Sequence, residues 1–397
     1  MTRHPAPLPD NPAEKLCILC GRCLEVCPLF NATRREELSP RSKFLLAQRL
    51  EAEPGALREM AAEKLASLCL ACGRCENACP QGKCAPDLVS RLRARHPGWQ
   101  GWFWRQWIEK GAALWPAASA IAGLAPASLT APGKPARALA GLKALRPEAA
   151  VRPWVRVKAF DSRGDGRKAV AFAGCLARNL RSDWTDKALA LLAGLGYAAA
   201  GDEGFACCGC TLGHAGQPAA QEQAQRRNLA AWRAAGRPLL AVFCATCRHG
   251  LRAYPAFDLG WEPGEATAWL AAVQPLSGLF GSTEFEVLED AAPPRAHYHT
   301  SCHGAEGGHD AAWLRAVAGE RLGRVSDGRC CGMGGVLQLA APDLSRQVAG
   351  TLWDFFAARP GEQALTGCSG CVLQLAATAP KGVAAAHWLD TLTTTNG

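Results

Sequence analysis

The sequence predicts a multidomain protein, with an α-helical N-terminal domain followed by two tandem α/β domains. Three observations lead to this prediction. Two copies of the spacing C-x2-C-x2-C-x3-C-P flank a segment of helical periodicity within the first 96 residues. The second half of the chain repeats one order of strands, helices and cysteine groups. Proline- and alanine-rich sequence from Ala125 to Val151 separates these two parts.

Length and composition set the general class of the protein. The 397 residues are enough for two or three domains, and 49% hydrophobic with 20% charged residues is typical of a soluble globular chain. The N-terminal stretch MTRHPAPLPDNPAEK has no apolar signal region, and no run of about 18 apolar residues occurs. We therefore expect a cytoplasmic protein, whose 20 cysteines are reduced and bind metal.

The formal net charge of +9 raises the question of nucleic acid binding. The basic residues are spread along the chain and form no long basic run, which argues against that function. Clusters held by thiolates would also add negative charge. We expect no nucleic acid partner.

The two N-terminal motifs are typical of ferredoxins. In this spacing three cysteines wrap one [4Fe–4S] cubane, and the fourth, ahead of proline, binds the other cubane. Zinc, which takes four ligands from two separated pairs, is the weaker alternative. We predict two cubane clusters, the first held by Cys17, Cys20, Cys23 and Cys79 and the second by Cys69, Cys72, Cys75 and Cys27.

Between the motifs, apolar residues recur at helical spacing in SPRSKFLLAQRLEAEPGALREMAAEKLASL. Ser39-Pro40 indicates a helix start, and Pro54-Gly55 indicates a break between two helices. A mostly helical cluster domain is therefore predicted over residues 1–96. It is similar to the α-helical ferredoxin domains of respiratory dehydrogenase subunits.

Residues 97–165 are predicted to form a Trp-rich helical connector. The stretch GWFWRQWIEKGAALW indicates a helix with a heavily aromatic surface. Tryptophan favours boundaries between apolar and wet surroundings, so this helix could pack on the cluster domains, face a partner subunit or touch a membrane surface. We favour packing or a partner interface, with membrane contact peripheral at most.

The rest of the chain is predicted to be an internal duplication, with one domain over residues 166–290 and another over residues 291–397. Each half runs through a strand, a cysteine, a helix, Cys-Cys-Gly, a second helix, a second strand and Cys-x2-Cys. Every cysteine group lies at a strand end or a helix start, where α/β folds build their sites. The groups are Cys175, Cys207, Cys208, Cys244 and Cys247 in the first half and Cys302, Cys330, Cys331, Cys368 and Cys371 in the second.

Five thiolates exceed what one tetrahedral zinc or one cubane uses. Adjacent thiolates can reach different irons or share one, while Gly209 or Gly332 lets the backbone come close. The spacing alone therefore predicts a cluster with more than four thiolates in each half. The alternatives are a vicinal redox disulfide, or a degenerate domain without metal, which is disfavoured because neither set lacks a cysteine. Cys84 and Cys210 are left over, and Cys84 is interpreted as a buried spare thiol.

The pattern C…CCG…C-x2-C, present twice, resembles the CCG domains of the heterodisulfide reductase family. In that family each complete motif can hold a noncubane [4Fe–4S] cluster, so the resemblance implies two further clusters here. Two ferredoxin motifs ahead of two CCG domains resemble the iron–sulfur subunits of glycolate and D-lactate oxidases, and also the catalytic subunit of membrane-linked heterodisulfide reductase. LSPRSKFLLAQRL and the histidine of CCGCTLGHAG favour the oxidase side, while Cys210 departs from that group's usual residue after CCG.

No G-x-G-x-x-G follows a strand, and no G-x-x-x-x-G-K-[ST] occurs. We therefore expect no catalytic residues and no FAD on this chain, and FAD on a partner subunit of the FAD-linked oxidase type. The predicted function is the iron–sulfur, oxidoreductase subunit of a D-lactate or glycolate dehydrogenase complex. It would carry electrons from that FAD through the cubane and CCG clusters to a quinone, another redox carrier or a thiol acceptor.

Two other functions stay open on the sequence. A heterodisulfide reductase-like subunit would cleave a disulfide at its noncubane clusters. A non-enzyme role would be iron–sulfur storage or redox sensing. Near the second CCG motif, His297, His299, His303 and His309 could donate protons, although exposed loop histidines are the commoner case.

Overall fold

The computed structural model describes residues 17–52, 64, 67–124, 141–145, 149–304 and 308–393. Its N-terminal part is helical, and two four-stranded parallel sheets with surrounding helices follow. The predicted fold class is therefore confirmed.

Short helices surround the two ferredoxin motifs. Pro28 begins α2 and Pro40 begins α3, because the fixed φ of proline suits the first position of a helix and its missing N–H would have no partner there. The helix start predicted at Pro40 is confirmed, while the predicted break at Pro54-Gly55 lies outside the described residues. The helices are α1 (Arg22–Glu25), α2 (Pro28–Thr33), α3 (Pro40–Ala52), α4 (Arg74–Ala78) and α5 (Ala85–Arg95).

The Trp-rich stretch forms two helices, α6 (Trp99–Glu109) and α7 (Gly111–Leu124), so the prediction of one continuous helix was wrong. Gly111, the first residue of α7, packs closely against Asn179. A Cβ added at Gly111 would lie 2.5 Å from Asn179 Nδ2, so a larger residue would push α7 away from the Asn179 side chain.

The tryptophans of α6 and α7 divide between the interior and the surface. Trp104 and Trp115 are buried, whereas Trp99 and Trp102 are 62% and 61% exposed. The predicted packing role therefore holds for the first pair only. Among the helices of the described ranges, none has both the length and the apolar character needed to cross a membrane.

The first α/β repeat is built on a parallel sheet in the order β3-β2-β4-β5. Its strands are β2 (Lys168–Phe172), β3 (Ala198–Ala200), β4 (Leu239–Val242) and β5 (Val273–Pro275). Its helices are α8 (Gly174–Asn179), α9 (Ser182–Gly194), α10 (Cys210–His214), α11 (Pro218–Ala234), α12 (Ala245–Arg252) and α13 (Glu265–Ala272).

The second repeat has the same topology, with strand order β8-β7-β9-β10. The strands are β7 (Ala296–His299), β8 (Leu322–Ser326), β9 (Gln363–Thr366) and β10 (Ala384–His387). The helices are α14 (His309–Ala318), α15 (Val336–Ala340), α16 (Pro342–Phe356) and α17 (Ser369–Thr378). The duplication predicted from the cysteine order is thus confirmed by the strand order.

The two repeats share one hydrophobic core. Trp184 of the first repeat and Trp388 of the second are both fully buried in the same apolar cluster. A two-stranded antiparallel sheet of β1 (Val155–Ala159) and β6 (Glu284–Val287) lies outside the parallel sheets. The C-terminal segment returns to it, where Trp154 N donates to Thr391 O at 2.8 Å. Strand β1 belongs to the predicted connector and β6 to the predicted first repeat, so their pairing crosses a predicted domain boundary. The predicted boundaries themselves stay predictions.

Candidate iron–sulfur centres

The first ferredoxin loop encloses a small cavity near the protein surface. Its cysteine lining consists of Cys17, Cys20, Cys23 and Cys79, with Cys75 as a fifth thiol. Cys20 is exposed, whereas Cys17, Cys23 and Cys79 are partly buried. The structure therefore brings together the four cysteines predicted for the first cubane, at a place open to solvent on one side.

The second ferredoxin loop encloses a similar cavity. Its cysteine lining is Cys27, Cys69, Cys72 and Cys75, the set predicted for the second cubane. Each cavity brings three cysteines of one motif together with the last cysteine of the other, as a double-cubane domain requires, and the first cavity also contains Cys75. No oxygen-donor carboxylate lines either cavity among the described residues, so the donor set fits an iron–sulfur cluster. The ligand assignment itself stays a prediction.

Both loops use the same unusual backbone. Leu19 and Ala71, each just ahead of a second cysteine, have φ of 57° and 53°, and Gly21 and Gly73 follow with φ of 82° and 71°. A positive φ costs a non-glycine residue about 1–3 kcal/mol, and such strain persists where the surrounding structure requires it. The repeated turn curls three cysteines around one point, which fits a cluster at that point.

Buried cations lie beside the second cavity. Lys43 is 2% exposed, and its ammonium donates to Leu38 O at 2.5 Å. Arg93 is 6% exposed and donates toward Cys69 O at 3.5 Å. Burial lowers the pKa of Lys43, and the neighbouring Cys69 and Cys27 thiolates oppose that shift. A buried ammonium is costly without an anion, and a cubane with four thiolates would supply about two negative charges.

Cys72 and Cys75, two thiols of the second cavity, are neutral at pH 7 unless metal binds them. Burial raises the pKa of Cys72 and of Cys75 to about 12 in each case. Metal binding must therefore displace their protons, which couples the loading of this site to pH.

The CCG cysteines lie at the carboxyl-terminal ends of the parallel strands. Cys175 and Cys302 follow β2 and β7, and Cys244 and Cys368 follow β4 and β9 as the N-caps of α12 and α17. This edge of an open parallel sheet is where α/β folds bind ligands. Each repeat adds its Cys-Cys-Gly loop to the same edge.

All ten CCG cysteines line one cavity of about 500 Å³ between the two repeats. The other lining residues are mainly apolar and include Trp104, Trp107 and Trp115 of the connector helices. The shared cavity was not predicted from the sequence, because the duplication gives two sets of five but not their mutual orientation. Two predicted clusters would thus face each other across one shared cavity.

Residues next to the cysteines of each set contact a cysteine of the other set. Ser369 N lies 3.4 Å from Cys244 Sγ, and Thr246 Oγ1 lies 3.2 Å from Cys368 Sγ. Within the second set, Cys331 Sγ is 3.2 Å from Cys371 Sγ. Sulfurs at this spacing are too far apart for a disulfide and can share a metal cluster.

Gly332 of the second Cys-Cys-Gly has φ of 86°, and a Cβ there would overlap the carbonyl oxygen of Ser345 on α16. The Ser345 hydroxyl in turn donates to Gly332 O at 2.7 Å, which fixes the loop on the helix. This close approach is to a helix, and the predicted approach of the Gly332 backbone to a cluster stays a prediction.

Changing Gly332 to alanine should cost at least about 2 kcal/mol of folding free energy, because it adds both a strained φ and a steric overlap. Gly350, in the middle of α16, is the matched control, since a Cβ there meets nothing within 4 Å. Gly350→Ala should change stability by less than about 1 kcal/mol. Urea unfolding of both holo-variants measures the difference, and equal midpoints would contradict the packing argument.

One cysteine and two histidines differ from what the sequence indicated. Cys84 is only partly buried, at the N-cap of α5, so its interpretation as a buried thiol was wrong, while Cys210 is buried. His297 and His299 are 4% and 1% exposed on β7, so the expectation of exposed loop histidines was wrong for both. Their position inside a strand followed by a CCG cysteine could have indicated burial.

His303 and His309 have different surroundings. His303 is partly buried, with Nδ1 at 3.2 Å from Thr246 Oγ1 and Nε2 at 3.3 Å from Ala71 O. Burial lowers the pKa of His303 to about 4, so this imidazole is neutral at pH 7. His309 is exposed and begins α14.

Two known domain families match the chain. A 4Fe-4S dicluster domain matches residues 14–83, and the cysteine-rich CCG domain matches residues 169–252 and 296–376. The probable glycolate oxidase iron-sulfur subunit of Bacillus subtilis (strain 168) is 25% identical over 390 residues, covering 90% of this chain and 87% of that protein. The glycolate oxidase iron-sulfur subunit of Escherichia coli (strain K12) is 23% identical over 396 residues, covering 95% and 92%. No solved structure matches the chain significantly.

Proposed function

Because the chain belongs to the CCG-domain iron–sulfur proteins, with a 4Fe-4S dicluster domain ahead of two CCG domains, we propose that it is the electron-transfer subunit of a flavin-dependent 2-hydroxy-acid dehydrogenase complex. The two curated relatives are named as iron–sulfur subunits of glycolate oxidase, which supports an oxidoreductase complex. In this proposal a partner subunit holds FAD and oxidises glycolate or D-lactate. This chain accepts the electrons and delivers them to a quinone, another carrier or a thiol.

The observation that supports the proposal is the spatial order of the three cysteine-lined cavities, from the first ferredoxin cavity near the surface to the shared CCG cavity. The first cavity has the exposed Cys20 in its lining, beside Ile18 and Leu19, which are 58% and 47% exposed. The second cavity shares Cys75 with the first. An exposed apolar loop at the first site is a suitable place for a partner to dock and for electrons to enter.

The second ferredoxin loop then contacts the second CCG repeat. Arg74 Nη2 donates to Arg329 O at 2.8 Å, directly ahead of Cys330. His303 bridges Ala71 O and Thr246 Oγ1, and Thr246 lies against Cys368. These hydrogen bonds hold the second ferredoxin loop against the residues around the shared CCG cavity.

When bound, iron–sulfur clusters supply one-electron transfer over a wide range of potentials. The residues of this chain position them, exclude water from the inner sites and offset their charge. Lys43 and Arg93 place buried positive charge beside the second ferredoxin site. The ten CCG thiols line one cavity, and tryptophans of the connector helices also contribute to its lining.

The test uses the full chain purified anaerobically, with and without its FAD-linked partner. Alone, it should be brown, contain iron and sulfide, carry no flavin, and stay oxidised in the presence of glycolate or D-lactate. With the partner added, one of these hydroxy acids should bleach its visible absorbance. Stoichiometric FAD on this chain, or reduction by the substrate without the partner, would contradict the proposal.

A second candidate function is supported by the single cavity that both CCG sets line. Two clusters facing each other would allow a disulfide to bind with one sulfur at each, as a heterodisulfide reductase-like subunit requires. If this is the function, the reduced chain alone should cleave a disulfide from a broad panel, measured as thiol release. Failure with the whole panel would count against it.

A further inference from the structure

The two CCG sites differ at one buried position. His299 ends β7, three residues before Cys302, and Phe172 ends β2, three residues before Cys175. In register, Phe172 pairs with Val242, whereas His299 pairs with Thr366. At this pair of equivalent strand positions, the first repeat therefore has two apolar side chains and the second repeat has two polar ones. Both side chains are buried, at 0% and 1% exposure, so the difference is internal.

The His299 ring lies against two cysteines of the second set. One of its nitrogens is within 4.8 Å of both Cys331 Sγ and Cys371 Sγ. Its Nδ1 is 2.9 Å from the hydroxyl oxygen of the buried Ser326. Its Nε2 is buried and has no hydrogen-bond partner among the described residues. An unpaired buried nitrogen is costly, so a partner is expected for Nε2, and the two sulfurs near the ring are candidates for that partner.

The chemistry of the sulfurs determines which nitrogen carries the proton. Metal-bound thiolates only accept hydrogen bonds, so an Nε2 lone pair facing them would be repelled. A neutral imidazole has one donor and one acceptor nitrogen. The Ser326 hydroxyl can donate to Nδ1, which leaves the proton on Nε2 to donate to sulfur.

We propose that His299 donates an N–H···S hydrogen bond to the thiolates Cys331 and Cys371, and that this bond makes the second CCG centre more easily reduced than the first. The inference rests on the proposed cluster at that site. Reduction adds negative charge that is spread onto the thiolate sulfurs, and a hydrogen-bond donor stabilises the more negative state. Phe172 offers no such donor in the first repeat. In this proposal His299 is a positioning residue, which acts through the thiolates to raise the midpoint potential of the second CCG centre.

The test is an EPR-monitored redox titration of the full holo-chain and its variants. The unaltered chain should give two separate CCG midpoint potentials. His299→Phe, which copies the first repeat, should weaken the electron affinity of one centre about tenfold, equal to about 59 mV for a one-electron couple. The other CCG centre, both cubane potentials and the iron content should not change.

Two further variants separate this role from a purely structural one. His299→Gln keeps an N–H donor near the place of Nε2 and should restore most of the lost potential. Phe172→Leu, at the equivalent strand position of the first repeat, should leave the second centre's potential unchanged. Equal potentials in His299→Phe and the unaltered chain would overturn the proposal. So would loss of iron from both His299→Phe and His299→Gln, which would make His299 a ligand or packing residue.

The redox titration can fail or succeed independently of the proposed dehydrogenase function. The titration uses dithionite and redox mediators and needs neither the partner nor a hydroxy acid, so a chain with another physiological donor would still give the two potentials. Absence of any CCG-type signal in the unaltered chain would overturn the cluster at this site, and with it the inference.

Discussion

Replacing Cys331 by serine is expected to lower the iron content from about 16 to about 12 atoms per chain, while both ferredoxin-type EPR signals persist. Serine keeps the size of the side chain but replaces a soft thiolate with a weak, hard donor. Cys331 is 5% exposed, and its sulfur lies 3.2 Å from that of Cys371 within the second CCG set. The ferredoxin sites draw their cysteines from separate loops, so they should load normally.

The chain offers a matched control in Cys210. It is as buried as Cys331, at 5% exposure, but it is absent from the lining of the shared cavity. Cys210→Ser should therefore retain about 16 irons. Cys72→Ser should give the converse result, with one cubane signal lost and the CCG spectrum intact. A full iron count and an unchanged spectrum in Cys331→Ser would favour a vicinal redox disulfide.

The cysteine spacings were sufficient to predict the grouping of thiols in the ferredoxin domain. A step of three residues fixes how a loop curls, and proline after the fourth cysteine turns that residue toward the other loop. The structure brings Cys79 to the first loop and Cys27 to the second. The duplication itself was also predictable from the repeated order of elements, and the structure shows that both repeats have one strand order, which the sequence analysis did not predict.

Features that depend on contacts between distant segments could not be predicted in the same way. Lys43 lies in the helix after the first motif, and nothing in its local sequence indicates that it is buried beside the second cavity. The shared CCG cavity depends on how the repeats pack, which their individual patterns leave open. An alignment of the two repeats would place His299 opposite Phe172. Only the structure shows that His299 lies near the sulfurs of Cys331 and Cys371.

A buried ion pair joins the two repeats. Asp390, in the C-terminal segment of the second repeat, is fully buried and pairs with Arg181 beside α9 of the first. Trp184 Nε1 donates to the same carboxylate at 2.7 Å, and His387 N donates to its other oxygen at 3.0 Å. Lys187 reinforces the contact by donating to Leu389 O at 3.0 Å. These bonds join the two repeats on either side of their common core.

Asp390→Ala should therefore destabilise the holo-protein by about 3–5 kcal/mol, because it leaves the guanidinium of Arg181 buried without its inner partner. For a chain of this size the melting temperature should fall by on the order of 10 °C. Asp183 is the control, since it binds the same guanidinium but its side chain is 40% exposed. Asp183→Ala should cost less than about 1 kcal/mol.

The functional consequence of Asp390→Ala follows from the position of the CCG cysteines. Because both sets line one cavity between the repeats, loosening the contact between the repeats exposes both sets together. We expect the CCG signals to decay in air faster in Asp390→Ala than in Asp183→Ala, while the ferredoxin signals decay at equal rates in the two variants. Equal melting temperatures and equal decay of the CCG signals would mean that the shared core holds the cavity closed without the ion pair.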